Sequence, residues 1–132
     1  MLEKIDHIGI AVDNLDESIL IFKDLLGLKF LGEEEVPDQK VRVAKFDIGG
    51  VHIELLEPTS PDSPISRFLE KKGQGIHHVA YRTDNIEAEI SELIAKGAKM
   101  IDEKPRCGSG GLNIAFIHPK STAKVLTEIC EG

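Results

Sequence analysis

HIGIAVDNLDESI, residues 7–19, aligns without a gap with HVAYRTDNIEAEI, residues 78–90. The opening histidine, the Asp-Asn pair (Asp13-Asn14 and Asp84-Asn85) and the closing isoleucine coincide. After a one-residue slip, LGLKFLGEE (26–34) matches KGAKMIDEK (96–104), and Phe46 ahead of VHIELLEP corresponds to Phe116 ahead of KVLTEICEG. Self-similarity at a fixed offset is the mark of a repeat, and two copies mean duplication, not a solenoid. The copies span about 1–58 and 76–132 of a single 132-residue domain.

Each copy reads in the same order. His7–Val12 and His78–Thr83 are apolar and β-branched and end at Asp-Asn, which predicts a strand closing into a turn. Asn14 and Asn85, or the aspartate before each, suit a helix N-cap, with acidic residues in the turn that follows. Leu15, Ile19, Phe22 and Leu26, then Ile86, Ile90, Leu93 and Ile94, recur at helical spacing. Gly27 and Gly97 stand where helices end. Three strands are then expected per copy: KFLGEEEV, KVRVAKFDI and VHIELLEP, then KMIDEKP, LNIAFIH and AKVLTEIC. The pattern is βαβββ twice, an α+β fold. Between the copies, PTSPDSPISRFLEKKGQG reads as an ordered linker with a short amphipathic helix anchored by Ile65, Phe68 and Leu69.

Composition narrows the function. With 41% hydrophobic and 30% charged residues the chain is globular. Its longest apolar stretch is interrupted by Lys23, Asp24 and Lys29, so no membrane span is expected, and MLEKIDHIGIAV runs straight into a strand pattern with no targeting signal. A cytoplasmic protein is the simplest expectation. A formal net charge of −7 argues against a nucleic-acid partner. Cys107 and Cys130 are too few and too scattered for a disulfide framework or a zinc knuckle, and read as reduced thiols.

Four polar residues sit where strands should be apolar: His7 and His78 on the first strand of each copy, Glu54 and Glu128 on the last. A glutamate among strong strand formers is costly if buried without a partner. By strand alternation His7 shares a face with Gly9 and Ala11, and His78 with Ala80. Small residues line that face, while Ile8, Ile10 and Val12 take the other. His77 points away from His78. The bland reading makes the histidines capped core residues and pairs the glutamates with Lys or Arg. Repetition of the set favours the sharper one, a His/Glu/His/Glu site for a divalent transition metal.

The stretches DHIGIAV, IELLEPTSPDSPISRFLEKKGQGIHHVAY and DEKPRCGSGGLNIAFIHPKSTAKVLTEI resemble the vicinal oxygen chelate (glyoxalase) superfamily and, within it, the methylmalonyl-CoA epimerase family. The resemblance implies paired βαβββ modules forming a U-shaped mixed sheet around a metal cup. It implies a homodimer and one divalent metal ion per chain, cobalt favoured, with manganese, nickel, zinc or magnesium as alternatives. The ligands carried over are His7, His78 and Glu128, with Glu54 at a fourth position that is often glutamine in close relatives. The implied reaction is epimerisation at C2 of an acyl-CoA, methylmalonyl-CoA. Glu128 and Glu54 are the candidate acid–base groups, because the position of a base proposed in some relatives falls on Val43. GSGG, residues 108–111, reads either as a loop over substrate, with Arg106 or Lys120 near its anionic groups, or as a plain hairpin turn. A lactoylglutathione-lyase-like isomerase and a non-enzymatic small-molecule-binding protein of the same fold are the alternatives. The binder is disfavoured by the presence of all four candidate ligands.

Overall fold

The computed structural model describes residues 1–132. Its strands are β1 (Leu2–Ala11), β2 (Lys29–Val36), β3 (Val41–Ile48), β4 (Val51–Pro58), β5 (Gly75–Thr83), β6 (Arg106–Cys107), β7 (Asn113–Ile117) and β8 (Thr127–Glu131). Helix α1 (Leu15–Leu20) runs on as a π-helical segment, Ile21–Leu25; α2 is Pro64–Lys72 and α3 is Ile86–Ala95. The strands form one mixed sheet in the order β2-β3-β4-β1-β5-β8-β7-β6. The chain divides into two compact units, residues 7–77 and residues 1–6 with 78–132, and the residues of β1 and β5 are split between them. No helix is long and apolar enough to cross a membrane.

In the unit of residues 7–77, β1 pairs parallel with β4, His7 opposite His52 and Gly9 opposite Glu54. Strand β3 pairs antiparallel with β4 and β2. The two faces separate as alternation predicts. Val12, Leu15, Ala44, Phe46 and Leu55 form a buried cluster with Ile10, Ile19 and Phe22, joining helix to sheet. Ala11, Val36, Val41, Val43 and Leu56 cluster on the opposite face under Ile65, Phe68 and Leu69 of α2. The linker helix therefore forms as expected, capped by Ser63 Oγ, which accepts from Ile65 N at 3.2 Å.

In the other unit, β5 pairs parallel with β8 and β8 antiparallel with β7. Ile86, Ile90, Ala115, Ile117 and Ile129 join α3 to the sheet. Ala80, Ile114, Phe116 and Cys130 lie on the far face. Helices α1 and α3 take asparagine as N-cap: Asn14 Oδ1 accepts from Glu17 N at 3.0 Å and Asn85 Oδ1 from Ala88 N at 3.1 Å. Gly27 and Gly97 adopt φ of 71° and 97°, a conformation that side chains disfavour and that ends the helices.

Four sequence expectations are corrected. KMIDEKP is not a strand. Only Met100 bridges to Ile117, because Ile101 N and Asp102 N both donate to Phe116 O while Asp102 Oδ2 accepts from Phe116 N. Strand β8 begins at Thr127 and not at Ala123, since Ala123 and Lys124 take positive φ. Leu26 is exposed, as the π turn closed by Leu26 N on Ile21 O shifts the helical phase and carries it off the apolar stripe. Finally, Phe116 stands opposite Glu128, whereas Phe46 stands opposite Ile53 and packs toward the helix. The residue that corresponds to Phe116 is Lys45, opposite Glu54.

Candidate metal centre

The four expected ligands resolve into two pairs, one in each unit. In residues 7–77, His7 Nδ1 lies 3.6 Å from Glu54 Oε2. In the other unit, His78 Nε2 lies 3.4 Å from Glu128 Oε1. All four side chains are buried. The sequence positions them by register: a parallel β1–β4 pair sets Gly9 beside Glu54, and a parallel β5–β8 pair sets Ala80 beside Glu128. A small residue beside each glutamate leaves its carboxylate room on that face.

The donor chemistry of each pair fits a divalent cation. Imidazole nitrogen and carboxylate oxygen suit Co, Mn, Ni, Fe or Zn. Donors about 2.1 Å from one ion and at right angles stand about 3 Å apart. Separations of 3.4 and 3.6 Å lie near that spacing and beyond a good N–H···O hydrogen bond.

Around the second pair, the Phe116 ring meets the His78 ring edge-on, with centroids 5.6 Å apart. The Arg106 guanidinium lies 5.5 Å above Phe116, and its Nε is 3.3 Å from Asp102 Oδ2. Arg82 donates from Nε to Asp6 Oδ1 at 3.0 Å, and this bond raises the Arg82 pKa. Cys130 is buried, and desolvation pushes its thiol pKa well up, which keeps it protonated and unreactive. Cys107 is exposed and unbridged.

His77 belongs with the other unit. Its ring stands edge-on to Phe68 of α2, centroids 5.1 Å apart, and burial lowers its pKa to about 4. A neutral imidazole packed on an aromatic ring is a structural part. GSGG turns the chain between β6 and β7, where Gly108 N donates to Leu112 O at 2.9 Å. A Cβ at Gly108 would meet Ile114 Cγ2 at 2.7 Å, so any larger residue there would force the Ile114 side chain to shift. Val43 is buried under α2 and supplies no base.

Sequence reading missed a second pair of glutamates. Glu57 and Glu131 each stand three residues after a candidate ligand, at the end of the same strand. Glu57 Oε2 accepts from Leu15 N and Glu131 Oε1 from Ile86 N, both at 2.8 Å. The repeated spacing in Glu54-Leu-Leu-Glu57 and Glu128-Ile-Cys-Glu131 was the available signal.

The profile of the Glyoxalase/Bleomycin resistance protein/Dioxygenase superfamily matches residues 6–116, and the chain belongs to that superfamily. The particular resemblance to methylmalonyl-CoA epimerases is also borne out. The chain is 34% identical over 129 residues to the human mitochondrial methylmalonyl-CoA epimerase, covering 97% of this chain and 73% of the relative. A solved structure of methylmalonyl-CoA epimerase in complex with methylmalonyl-CoA and NH4+ matches with a TM-score of 0.96 at 36% identity, covering 100% of this chain and 96% of that one. An uncharacterized protein of Bacillus subtilis strain 168, YqjC, is 45% identical over 130 residues, covering 98% of this chain and 93% of the relative. These likenesses place the chain among enzymes, in the epimerase class of isomerases.

Proposed function

We propose that this protein is a metal-dependent epimerase interconverting (R)- and (S)-methylmalonyl-CoA. The observation that carries the reading is the repeat of one buried His–Glu pair, at matched registers, in both halves of a chain that belongs to this superfamily. His7, Glu54, His78 and Glu128 are proposed to hold one ion. The reading includes a homodimer and a preference for cobalt, both implied by the family resemblance, and a cytoplasmic location, expected from the N-terminal sequence pattern.

The chemistry follows from the substrate class. C2 of a 2-methylmalonyl thioester lies between a thioester carbonyl and a carboxylate, so its proton is weakly acidic. A bound divalent ion would supply Lewis acidity that stabilises negative charge on the thioester oxygen. Epimerisation then needs one group to take the proton from one face and another to return one to the opposite face. Glu54 and Glu128 are the carboxylates proposed for these tasks, each held close to its own histidine. Burial excludes water from both, which strengthens their electrostatic effect.

The test is to incubate the cobalt-loaded protein with methylmalonyl-CoA in deuterated water. Deuterium uptake at C2 together with interconversion of the epimers is the expected result. No exchange with cobalt, manganese or nickel supplied would reject the reading and favour a lactoylglutathione-lyase-like isomerase.

A further inference from the structure

The two His–Glu pairs are alike, but their surroundings are not. Glu54 is flanked in the sheet by Gly9 and Lys45, and Glu128 by Ala80 and Phe116. Residues directly opposite on paired strands present their side chains on one face. Lys45 therefore occupies beside Glu54 the place that an aromatic ring occupies beside Glu128.

Lys45 is largely buried, with its side chain 17% exposed, and its Nζ lies 3.1 Å from Glu34 Oε1 on β2. An ammonium so placed loses hydration, and one surface-type ion pair returns little. Strand β3 presents Val41, Val43, Lys45 and Asp47 to this face, opposite Pro58, Leu56, Glu54 and His52. Lys45 is the cation in that row. Two glutamates offset the charge of a bound divalent ion, so a substrate carboxylate gains from a further positive charge on that face, and Lys45, opposite Glu54, supplies one.

We infer that Lys45, held by Glu34, binds the free carboxylate of the acyl-CoA substrate and selects carboxylated over uncharged acyl groups. This inference rests on the acyl-CoA reading above. It gives Glu34 a positioning part and explains a cation at a place where the fold's own repeat has phenylalanine.

The experiment compares malonyl-CoA with propionyl-CoA, which lacks the free carboxylate, by calorimetric titration of the cobalt-loaded full chain. Wild type is expected to prefer malonyl-CoA. Lys45→Met is expected to weaken malonyl-CoA binding by roughly tenfold to a hundredfold, the range of one charge-assisted hydrogen bond, while propionyl-CoA binding changes less than about twofold. Lys45→Arg should keep most of the preference, and circular dichroism checks that both variants fold. Equal loss for both thioesters, or no loss in Lys45→Met, would overturn the inference while leaving the acyl-CoA reading in place. Wild-type protein that binds neither thioester would overturn both.

Discussion

Glu57 Oε2 accepts a hydrogen bond from the backbone N–H of Leu15 at 2.8 Å, tying the end of β4 to the first turn of α1 across 42 residues of chain. Glu131 does the same for Ile86 at the start of α3. Each of these carboxylates meets the positive end of a helix, where negative charge is stabilising. The strand that carries a candidate ligand is thus locked to the helix behind it.

Removing either lock should cost stability. Glu57→Ala and Glu131→Ala are each expected to lose about 1–2 kcal/mol, the scale of a helix-capping interaction. Glu57 also accepts from Arg42 Nη1 at 3.0 Å, but Arg42 keeps Glu33 at 2.7 Å, so that ion pair adds little to the loss. Urea denaturation of the two variants measures the effect, and losses below about 0.3 kcal/mol would show that the locks carry no weight.

Metal binding should depend unequally on the four residues. His78→Ala and Glu128→Ala are expected to abolish retention of cobalt after dialysis, read by elemental analysis. Glu54→Gln keeps an oxygen donor and should retain the ion while slowing deuterium exchange at C2. Unchanged exchange in Glu54→Gln would remove Glu54 as a proton-transfer group.

His77 makes stability depend on pH. Its folded pKa of about 4 lies below the ordinary 6.5, so the unfolded chain binds the proton more readily between those values. The stability contributed by keeping this imidazole neutral is therefore complete above pH 6.5. It is lost as pH falls through 6.5 toward 4, by at most about 3 kcal/mol. His77→Phe preserves the ring beside Phe68 and removes the titration. The gap in unfolding free energy between the two proteins should widen against wild type over that window, and parallel curves would contradict it.

Phe116 supports His78 from the side. It is 8% exposed, and Phe116→Ala should cost about 3–5 kcal/mol in denaturant unfolding. Phe116→Leu fills more of the space and should lose less. A similar loss in both would point to the edge-on contact with His78, and not to volume, as the stabilising element.

Much of the fold was legible because duplication shows the same solution twice. The strand–Asp-Asn–helix opening of each copy, the asparagine caps, the glycine stops and the faces of His7 and His78 all follow from local rules. What could not be read depended on partners distant in sequence. KMIDEKP has strand-like residues, but hydrogen bonds from Ile101 and Asp102 to Phe116 O replace the ladder. Leu26 fits a helical stripe until the π turn moves it. The pairing of Phe116 with Phe46 fails because alignment of letters cannot detect that one faces the helix and the other does not.

The sequence by itself determined the duplication and the βαβββ order, and it singled out His7, Glu54, His78 and Glu128 as repeat-matched polar residues on strands, since each is a matter of pattern and period. Only the tertiary structure decided that each histidine stands against the glutamate of its own unit, that Glu57 and Glu131 hold the helices, and that Lys45 is the counterpart of Phe116. Those facts are set by strand register, and a shift of one residue exchanges the two faces of a strand. Register is fixed by packing across the whole sheet, which no single stretch of sequence contains.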